Sequence, residues 1–114
     1  MTTPDPLQVV RDCFTAFSTA DRDLVERRLA DDLVFSAPPD VGIDRAGYFE
    51  RCWPGAGGVS TFSYVRQAEI GGGEVVTTYE ATRADGTRFR NTEIHHVVGE
   101  QVDRIEVYFG WDLD

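Results

Sequence analysis

The sequence predicts an α+β fold in which three N-terminal helices pack on a curved, mainly antiparallel sheet. In the first half of the chain, apolar residues recur at three- and four-residue spacing, as they do on the buried face of a helix. From Phe62 onward they alternate every second residue, which is typical of strands. Turn signals divide this second half into four strands: Gly71-Gly72-Gly73, Asp85-Gly86 and Gly99-Glu100. The length of 114 residues fits one domain, spanning residues 1–114.

Each predicted helix has an aspartate in position to cap it. Asp5 precedes the first helix, which starts at Pro6 and ends near Ala20. Asp21 precedes a second, shorter helix, and Asp44 precedes a third that runs to Trp53 and is broken by Pro54-Gly55. The apolar stripe of the first helix consists of Leu7, Val10, Phe14 and Phe17.

The strands are read from alternation and from the residues that interrupt it. Leu33 to Phe35 form a short strand that Pro38-Pro39 stops. In the first long strand, one face is predicted to carry Phe62, Tyr64, Ala68 and Ile70. The remaining strands run from Glu74 to Arg83 and over the two halves of the stretch from Arg88 to Trp111.

A net charge of −9, with arginine as the only basic residue besides histidine, limits the function classes. Nucleic acids and anionic membrane surfaces are bound by basic patches, so neither is an expected partner. Without lysine, a lysine Schiff base or lysine nucleophile is excluded. No signal-like or membrane-length segment is present, which favours a cytoplasmic protein. Cys13 and Cys52 are then expected to be reduced thiols rather than a disulfide.

Neither a metal site nor an organic cofactor is predicted. His95 and His96 are adjacent on a strand and point to opposite faces, and no aspartate or cysteine completes a ligand set beside them. The glycines at Gly71 to Gly73 join two strands rather than a strand and a helix, so they indicate a hairpin turn and not a phosphate-binding loop.

The order of elements and several motifs resemble the nuclear transport factor 2-like superfamily and, within it, the SnoaL-like proteins. The motifs are Ala20-Asp21, Leu29-Ala30-Asp31-Asp32, Gly42 to Phe49, and Ile105 to Gly110. The resemblance covers nearly the whole chain and implies a cone whose sheet wraps a mostly apolar pocket. Members include ketosteroid isomerases, limonene epoxide hydrolases, polyketide cyclases, dehydratases and pockets without chemistry, so the fold alone does not give the function.

Family site positions match only in part. Relative to ketosteroid isomerases, the base aspartate falls at Ala37, the tyrosine of the first helix at Cys13, and the protonated oxyanion-hole acid at Glu93. Relative to limonene epoxide hydrolases, the aspartate of the last strand falls at Val107. SnoaL-like polyketide cyclases use acidic pocket residues, for which Glu93 is the best match.

The candidate site is one face of the strand that follows Asp85-Gly86. In order, this face carries Phe89, Asn91, Glu93, His95 and Val97. A turn with an even number of residues at Asp85-Gly86 places Glu80 opposite Asn91 and Thr78 opposite Glu93, completing a polar cluster.

The turn at Gly99-Glu100 decides whether this face looks inward. A two-residue turn pairs Ile94 with Ile105 and turns Glu93 away from the apolar face of the last strand. A three-residue turn pairs His95 with Ile105 and turns Glu93 inward. The spacing from Val97 to Val107 matches that of the epoxide hydrolases, where this register faces the pocket, so we expect the inward arrangement.

We therefore predict acid/base catalysis by Glu93 and His95 on a small apolar or aromatic compound, polyketide- or steroid-like, through cyclisation, isomerisation or hydration. The alternative is a non-catalytic ligand-binding or dimerisation module. Predicted ligand contacts are Phe35, Trp53, Phe62, Tyr64, Glu80, Asn91, Val107 and Phe109. A homodimer is predicted through the outer sheet face, which would carry Thr92, Ile94, His96, Glu106 and Tyr108, and also Thr77 and Tyr79 if the turn at Asp85-Gly86 has an even number of residues.

Overall fold

The computed structural model describes residues 4–113, which form three α-helices and a six-stranded sheet. The helices are α1 (Pro6–Thr19), α2 (Arg22–Arg28) and α3 (Arg45–Arg51), and a 3-10 turn follows at Trp53–Gly55. The strands are β1 (Leu29–Ala37), β2 (Asp40–Ile43), β3 (Val59–Gly71), β4 (Glu74–Arg83), β5 (Arg88–Val98) and β6 (Gln101–Asp112). The predicted α+β class, the helix order and the four-stranded meander are confirmed.

The sheet order is β2-β1-β6-β5-β4-β3, and neighbouring strands are antiparallel except for the parallel pair β1 and β6. This pair joins the helical half of the chain to the last strand, with Phe35 opposite Ile105. Helix α1 lies against the inner face of the meander, where the Phe14 ring is 5.0 Å from that of Phe62 and 5.1 Å from that of Tyr79. The space that becomes the cavity lies beside this contact.

The three predicted helix caps are present. Asp5 accepts a hydrogen bond from the Leu7 amide, Asp21 from the Leu24 amide, and Asp44 from the Gly47 amide. Each bond satisfies one of the amides that a helix leaves unpaired in its first turn. The sequence signals for helix starts were therefore reliable in this chain.

The region between α2 and α3 differs from the prediction. The short strand at Leu33 to Phe35 is the centre of a longer strand, β1, and Pro38-Pro39 forms a turn into an additional strand, β2. The prolines are tolerated because they lie in the turn, outside both strands, where no ladder hydrogen bond from their nitrogens is needed. The third helix ends at Arg51 rather than Trp53, and Trp53-Pro54-Gly55 continue as a 3-10 turn.

The predicted face of β3 is wrong beyond Tyr64. Tyr64 pairs with Tyr79 but Arg66 pairs with Thr78, so Val65 is the extra residue of a β-bulge. The bulge exchanges the two faces, and Gln67 rather than Ala68 turns inward, where its side chain donates to Thr77. Ile70 accordingly remains 58% exposed.

The hydrophobic core lies between α1 and the inner face of the sheet. Helix α1 contributes Val9, Val10, Phe14 and Ala16, and the sheet contributes Leu33, Phe35, Val75, Tyr79, Ala81, Val97, Val102 and Ile105. His95 is buried in the same layer at 2% exposure. The polar strand face therefore forms part of the core wall and does not face bulk water.

Candidate functional site

A cavity of about 350 Å³ opens between α1, α3 and the inner face of the sheet. Its volume is at the lower end of the range for small-molecule sites. The walls are largely apolar and include Phe14, Phe17, Leu29, Phe35, Val59, Phe62, Ile105 and Val107. One end of the cavity is polar, formed by Tyr79, Asn91, Glu93 and His95.

The opening of the cavity is marked by its exposed lining residues. Phe109 is 59% exposed, and the Arg51 side chain is 60% exposed. Arg51 Nη1 lies 2.9 Å from Asp40 Oδ1, so the entrance carries an ion pair between α3 and β2. The entrance therefore combines this ion pair with an exposed aromatic ring, that of Phe109.

The inward orientation of Glu93 and His95 comes from a bulge. The turn at Gly99-Glu100 has two residues, since Val98 pairs with Gln101, and this alone would turn Glu93 outward. Asp103 is then inserted between the Val97 and His96 pairs, which shifts the register by one. As a result His95 lies opposite Ile105 and Glu93 opposite Val107, the inward pairing that we expected.

The hairpin between β4 and β5 corrects the predicted register. Arg83 N donates to Thr87 O, which closes a loop of three residues, Ala84-Asp85-Gly86, with Gly86 at φ +89°. Because the number is odd, Tyr79 rather than Glu80 lies opposite Asn91, and Thr77 rather than Thr78 lies opposite Glu93. Glu80 is turned to the outer face, where it pairs with Arg90.

Tyr79 is therefore the fourth member of the polar end. Its hydroxyl donates a 2.6 Å hydrogen bond to Glu93 Oε2. Burial raises the pKa of Glu93 from 4.5 to about 7, although the bond from Tyr79 acts in the opposite direction. The Glu93 side chain keeps 16% exposure and lines the cavity, so this carboxyl can meet a ligand.

His95 lies beside Glu93 as a neutral imidazole. Burial lowers its pKa from 6.5 to about 4. Its Nε2 is 3.6 Å from Glu93 Oε1, which is too far for a good hydrogen bond. Its Nδ1 has no hydrogen-bond partner among the described residues, and its ring packs 5.5 Å from that of Phe14.

The predicted ligand contacts divide into two groups. Phe35, Phe62, Asn91, Val107 and Phe109 line the cavity. Three others do not: Glu80 lies on the outer face, Tyr64 packs edge-on against Phe14 beside the cavity, and Trp53 packs between Phe17 and Phe49. A large aromatic residue at a helix end suggested a position at the cavity rim, whereas the Trp53 ring packs against Phe17 and Phe49.

Several lining residues were missed: Cys13, Asp40, Tyr48, Arg51, Cys52 and Tyr79. Tyr79 could have been found only with the correct hairpin register. Cys13 had a signal, since the resemblance placed a family site residue there. Both cysteines are free, and burial raises the pKa of each thiol to about 12, so they remain protonated near neutral pH.

Within residues 4–113 no three side chains of histidine, cysteine, aspartate or glutamate are grouped to hold a metal ion. In this same part of the chain, none of the helices combines the length and hydropathy needed to cross a membrane.

The comparisons with known proteins show the fold. No protein-family model and no curated protein sequence matches the chain. Among solved structures, an NTF2-like protein of unknown function from Cytophaga hutchinsonii is 20% identical, with a TM-score of 0.69, covering 96% of this chain and 93% of that one. An LEH-like epoxide hydrolase from Mycobacterium tuberculosis is 19% identical, with a TM-score of 0.76 and coverages of 95% and 80%. A proposed ketosteroid isomerase from Kribbella flavida is 17% identical, with a TM-score of 0.77 and coverages of 98% and 82%. The chain therefore has the fold of the nuclear transport factor 2-like proteins.

Proposed function

We propose that the protein binds a small, largely apolar or aromatic molecule in this cavity and acts on it by acid/base catalysis through Glu93. The observation that carries this proposal is a carboxyl with a pKa near 7 at the polar end of an apolar cavity. A group with such a pKa is available both as acid and as base near neutral pH. The reaction class is a cyclisation, isomerisation or hydration, as in the enzymes that the sequence resembles.

The gap between Glu93 and His95 supports a ligand oxygen at this end. Glu93 Oε1 and His95 Nε2 are 3.6 Å apart, so they do not form a good hydrogen bond with each other. One oxygen placed about 2.8 Å from each would hydrogen-bond to both. A carbonyl, enol or phenol oxygen meets this requirement, and the proton held by Glu93 would then move to or from it.

The charge state of the cavity favours an uncharged ligand. Between about pH 4 and pH 7 Glu93 is mostly neutral, His95 is neutral, and the thiols of Cys13 and Cys52 are neutral. An ionic ligand group at this end would have to give up hydration without a counter-ion, which is costly. At the entrance, the charges of Arg51 and Asp40 neutralise each other, so neither residue offers a free counter-ion to a charged ligand.

The alternative function is ligand binding without reaction. One observation favours it: Ala37 lines the cavity at the position that matches the base aspartate of ketosteroid isomerases. Of the two carboxyls that line the cavity, Asp40 is already paired with Arg51, so no second free carboxylate stands ready as a base beside Glu93, and the cavity could hold a ligand without moving its protons. The two functions share the same site and differ in what Glu93 does.

A screen followed by one substitution separates them. Uncharged aromatic and alicyclic ketones, enols and phenols are tested for binding by NMR, and bound compounds are then followed for conversion. Under the catalytic proposal, Glu93→Gln retains binding and lowers turnover by roughly a hundredfold or more. His95→Ala should be less damaging, because water can replace an orienting imidazole.

Glu80→Gln is the matched control, since Glu80 lies on the adjacent strand but faces outward. It should turn over substrate at the wild-type rate. Equal turnover in wild type and Glu93→Gln would rule out the catalytic proposal and leave ligand binding.

A further inference from the structure

Tyr79 is held rigidly at the polar end of the cavity. It is 3% exposed, and its ring is packed edge-on against Phe14, Phe62 and Phe89, with centroids 5.1, 5.2 and 6.4 Å away. Its hydroxyl lies 2.6 Å from Glu93 Oε2. A ring fixed by three aromatic neighbours gives this bond little freedom of direction.

The direction of the hydrogen bonds is set from the backbone of β6. The Gly110 amide lies 3.1 Å from Asn91 Oδ1, and a backbone N–H can only donate. The Asn91 side chain must therefore present its NH₂ group on the other side. Asn91 lies directly opposite Tyr79, and burial raises the pKa of Tyr79 while the Asn91 side chain acts in the opposite direction, as a donor facing the phenol oxygen does.

This chain of donors leaves the two oxygens of Glu93 unequal. The Tyr79 hydroxyl donates its proton to Glu93 Oε2, which leaves the phenol oxygen as an acceptor for the NH₂ group of Asn91. Oε2 is thereby occupied as an acceptor, and the proton of the neutral carboxyl resides on Oε1. Oε1 is the oxygen that faces His95 Nε2 across the 3.6 Å gap.

We propose that Tyr79 is a positioning residue that fixes Glu93 Oε2 as an acceptor and makes Oε1 the oxygen that exchanges a proton with the ligand. The inference rests on the proposed role of Glu93 in ligand chemistry. When the Oε1 proton passes to a ligand oxygen, Glu93 becomes a carboxylate and the Tyr79 hydroxyl stabilises it. Donation to a charged acceptor is stronger than donation to a neutral one, so Tyr79 favours the state in which the proton has left.

The test is a pH titration of the ligand-free protein by NMR. Glutamate is labelled with ¹³C at the carboxyl and tyrosine at Cζ, and the two signals are assigned by their loss in Glu93→Gln and Tyr79→Phe. In the wild type, the Tyr79 signal should show an inflection at the midpoint of the Glu93 titration, because the group it donates to changes charge there. In Tyr79→Phe, the Glu93 midpoint should rise by roughly one pH unit, because a hydrogen bond to the carboxylate is lost.

Tyr48→Phe is the matched control. Tyr48 lines the same cavity and is buried, but its hydroxyl makes no hydrogen bond to Glu93. In Tyr48→Phe the midpoint of the Glu93 titration should stay within a few tenths of a pH unit of the wild-type value. A purely structural role for Tyr79 would instead let water reach Glu93 and lower the midpoint.

A Tyr79 signal without an inflection, or a midpoint in Tyr79→Phe equal to or below that of the wild type, overturns the inference. If Tyr79→Phe does not fold, the wild-type inflection decides alone. The titration needs no ligand, so its result is separate from the turnover of Glu93→Gln, which tests the proposed function.

Discussion

Glu93 and His95 lie two residues apart on the inner face of β5, and burial moves their pKa values in opposite directions. The pKa of Glu93 rises from 4.5 to about 7, whereas the pKa of His95 falls from 6.5 to about 4. Between pH 4.5 and 6.5 the folded pair holds one proton on Glu93, and the unfolded pair holds one proton on His95. Equal proton counts mean that the pair adds almost no pH dependence to the free energy of unfolding in this range.

Single substitutions should expose the two opposing contributions. In Glu93→Gln only His95 remains, so stability should be lost as pH falls from 6.5 to 4, by about 3 kcal/mol relative to the wild type. In His95→Gln only Glu93 remains, so stability should be lost as pH rises from 4.5 to 7, by a similar amount. Urea unfolding across this pH range measures both.

The control for these titrations is Glu80→Gln, which removes an outward-facing carboxyl. It keeps both Glu93 and His95, so their opposing contributions should cancel between pH 4.5 and 6.5 as they do in the wild type. If the free energy of unfolding of Glu93→Gln varied with pH in parallel with that of the wild type, the opposing contributions of Glu93 and His95 would be contradicted.

The sequence predicted the elements better than the faces. Alternation and turn residues were sufficient for the meander, and Asp5, Asp21 and Asp44 were sufficient for the helix starts. Strand registers depend on single residues, and each shift of one exchanges the two faces. The bulge at Val65 turns Ala68 and Ile70 outward, against the prediction. The three-residue loop at Asp85 places Tyr79, and not the predicted Glu80, opposite Asn91.

The inward orientation of Glu93 was predicted correctly but for a different reason. A longer turn at Gly99 was the expected cause, whereas the observed cause is the bulge at Asp103. No local sequence signal distinguishes these two, because both insert one residue between the same strands. The entrance pair of Asp40 and Arg51 was missed for a related reason: β2, which carries Asp40, was not predicted as a strand.

Gly110 should be the least replaceable glycine of the sheet. It is the bulge residue between the pairs of Asn91 and Arg90, and a Cβ there would lie 2.1 Å from the Arg90 carbonyl oxygen. Gly110→Ala must move the backbone that also anchors Asn91. We expect a loss of about 3 kcal/mol in the free energy of unfolding, measured by thermal or urea denaturation.

Gly42→Ala gives the comparison. Gly42 has φ +71° but no atom within 4 Å of the added Cβ, so only backbone strain is introduced. That strain should cost about 1 kcal/mol. Equal losses for the two variants would show that the close approach at Gly110 is relieved without cost.

The two thiols should resist alkylation in the folded protein. Cys13 is 8% exposed, and burial raises the pKa of Cys13 and Cys52 to about 12. Alkylation requires the thiolate, which is scarce at pH 8 under these conditions. Iodoacetamide followed by mass spectrometry should show slow modification of the native protein and rapid modification of both residues in denaturant. Fast labelling of native Cys13 would contradict this.

We propose that the protein forms a homodimer through the outer face of the sheet. The observed strand register changes which residues belong to this face. Thr77 and Tyr79 face inward and are excluded, while Val76 and Thr78 take their place beside Thr92 and Ile94. Tyr108 pairs with Thr92 on this face and is 51% exposed. His96 contacts Asp103 through Nδ1 at 2.5 Å and is therefore already engaged within its own chain, so the dimer should not depend on an intersubunit contact of His96 with Glu106.

Light scattering over a dilution series at neutral pH tests this proposal. In a C2 dimer the same surface patch of both subunits forms the interface. A charged residue introduced near the centre of the patch therefore lies close to the same charge on the partner, and the two repel each other. Ile94→Arg should therefore yield a monomer with an unchanged circular dichroism spectrum. Val41→Arg is the matched control, because Val41 is 79% exposed on the edge strand β2, away from this face, and its substitution should leave the dimer intact. A monomer mass for the wild type at micromolar concentration and above ends the proposal, and a dimer that survives Ile94→Arg assigns the contact to another surface.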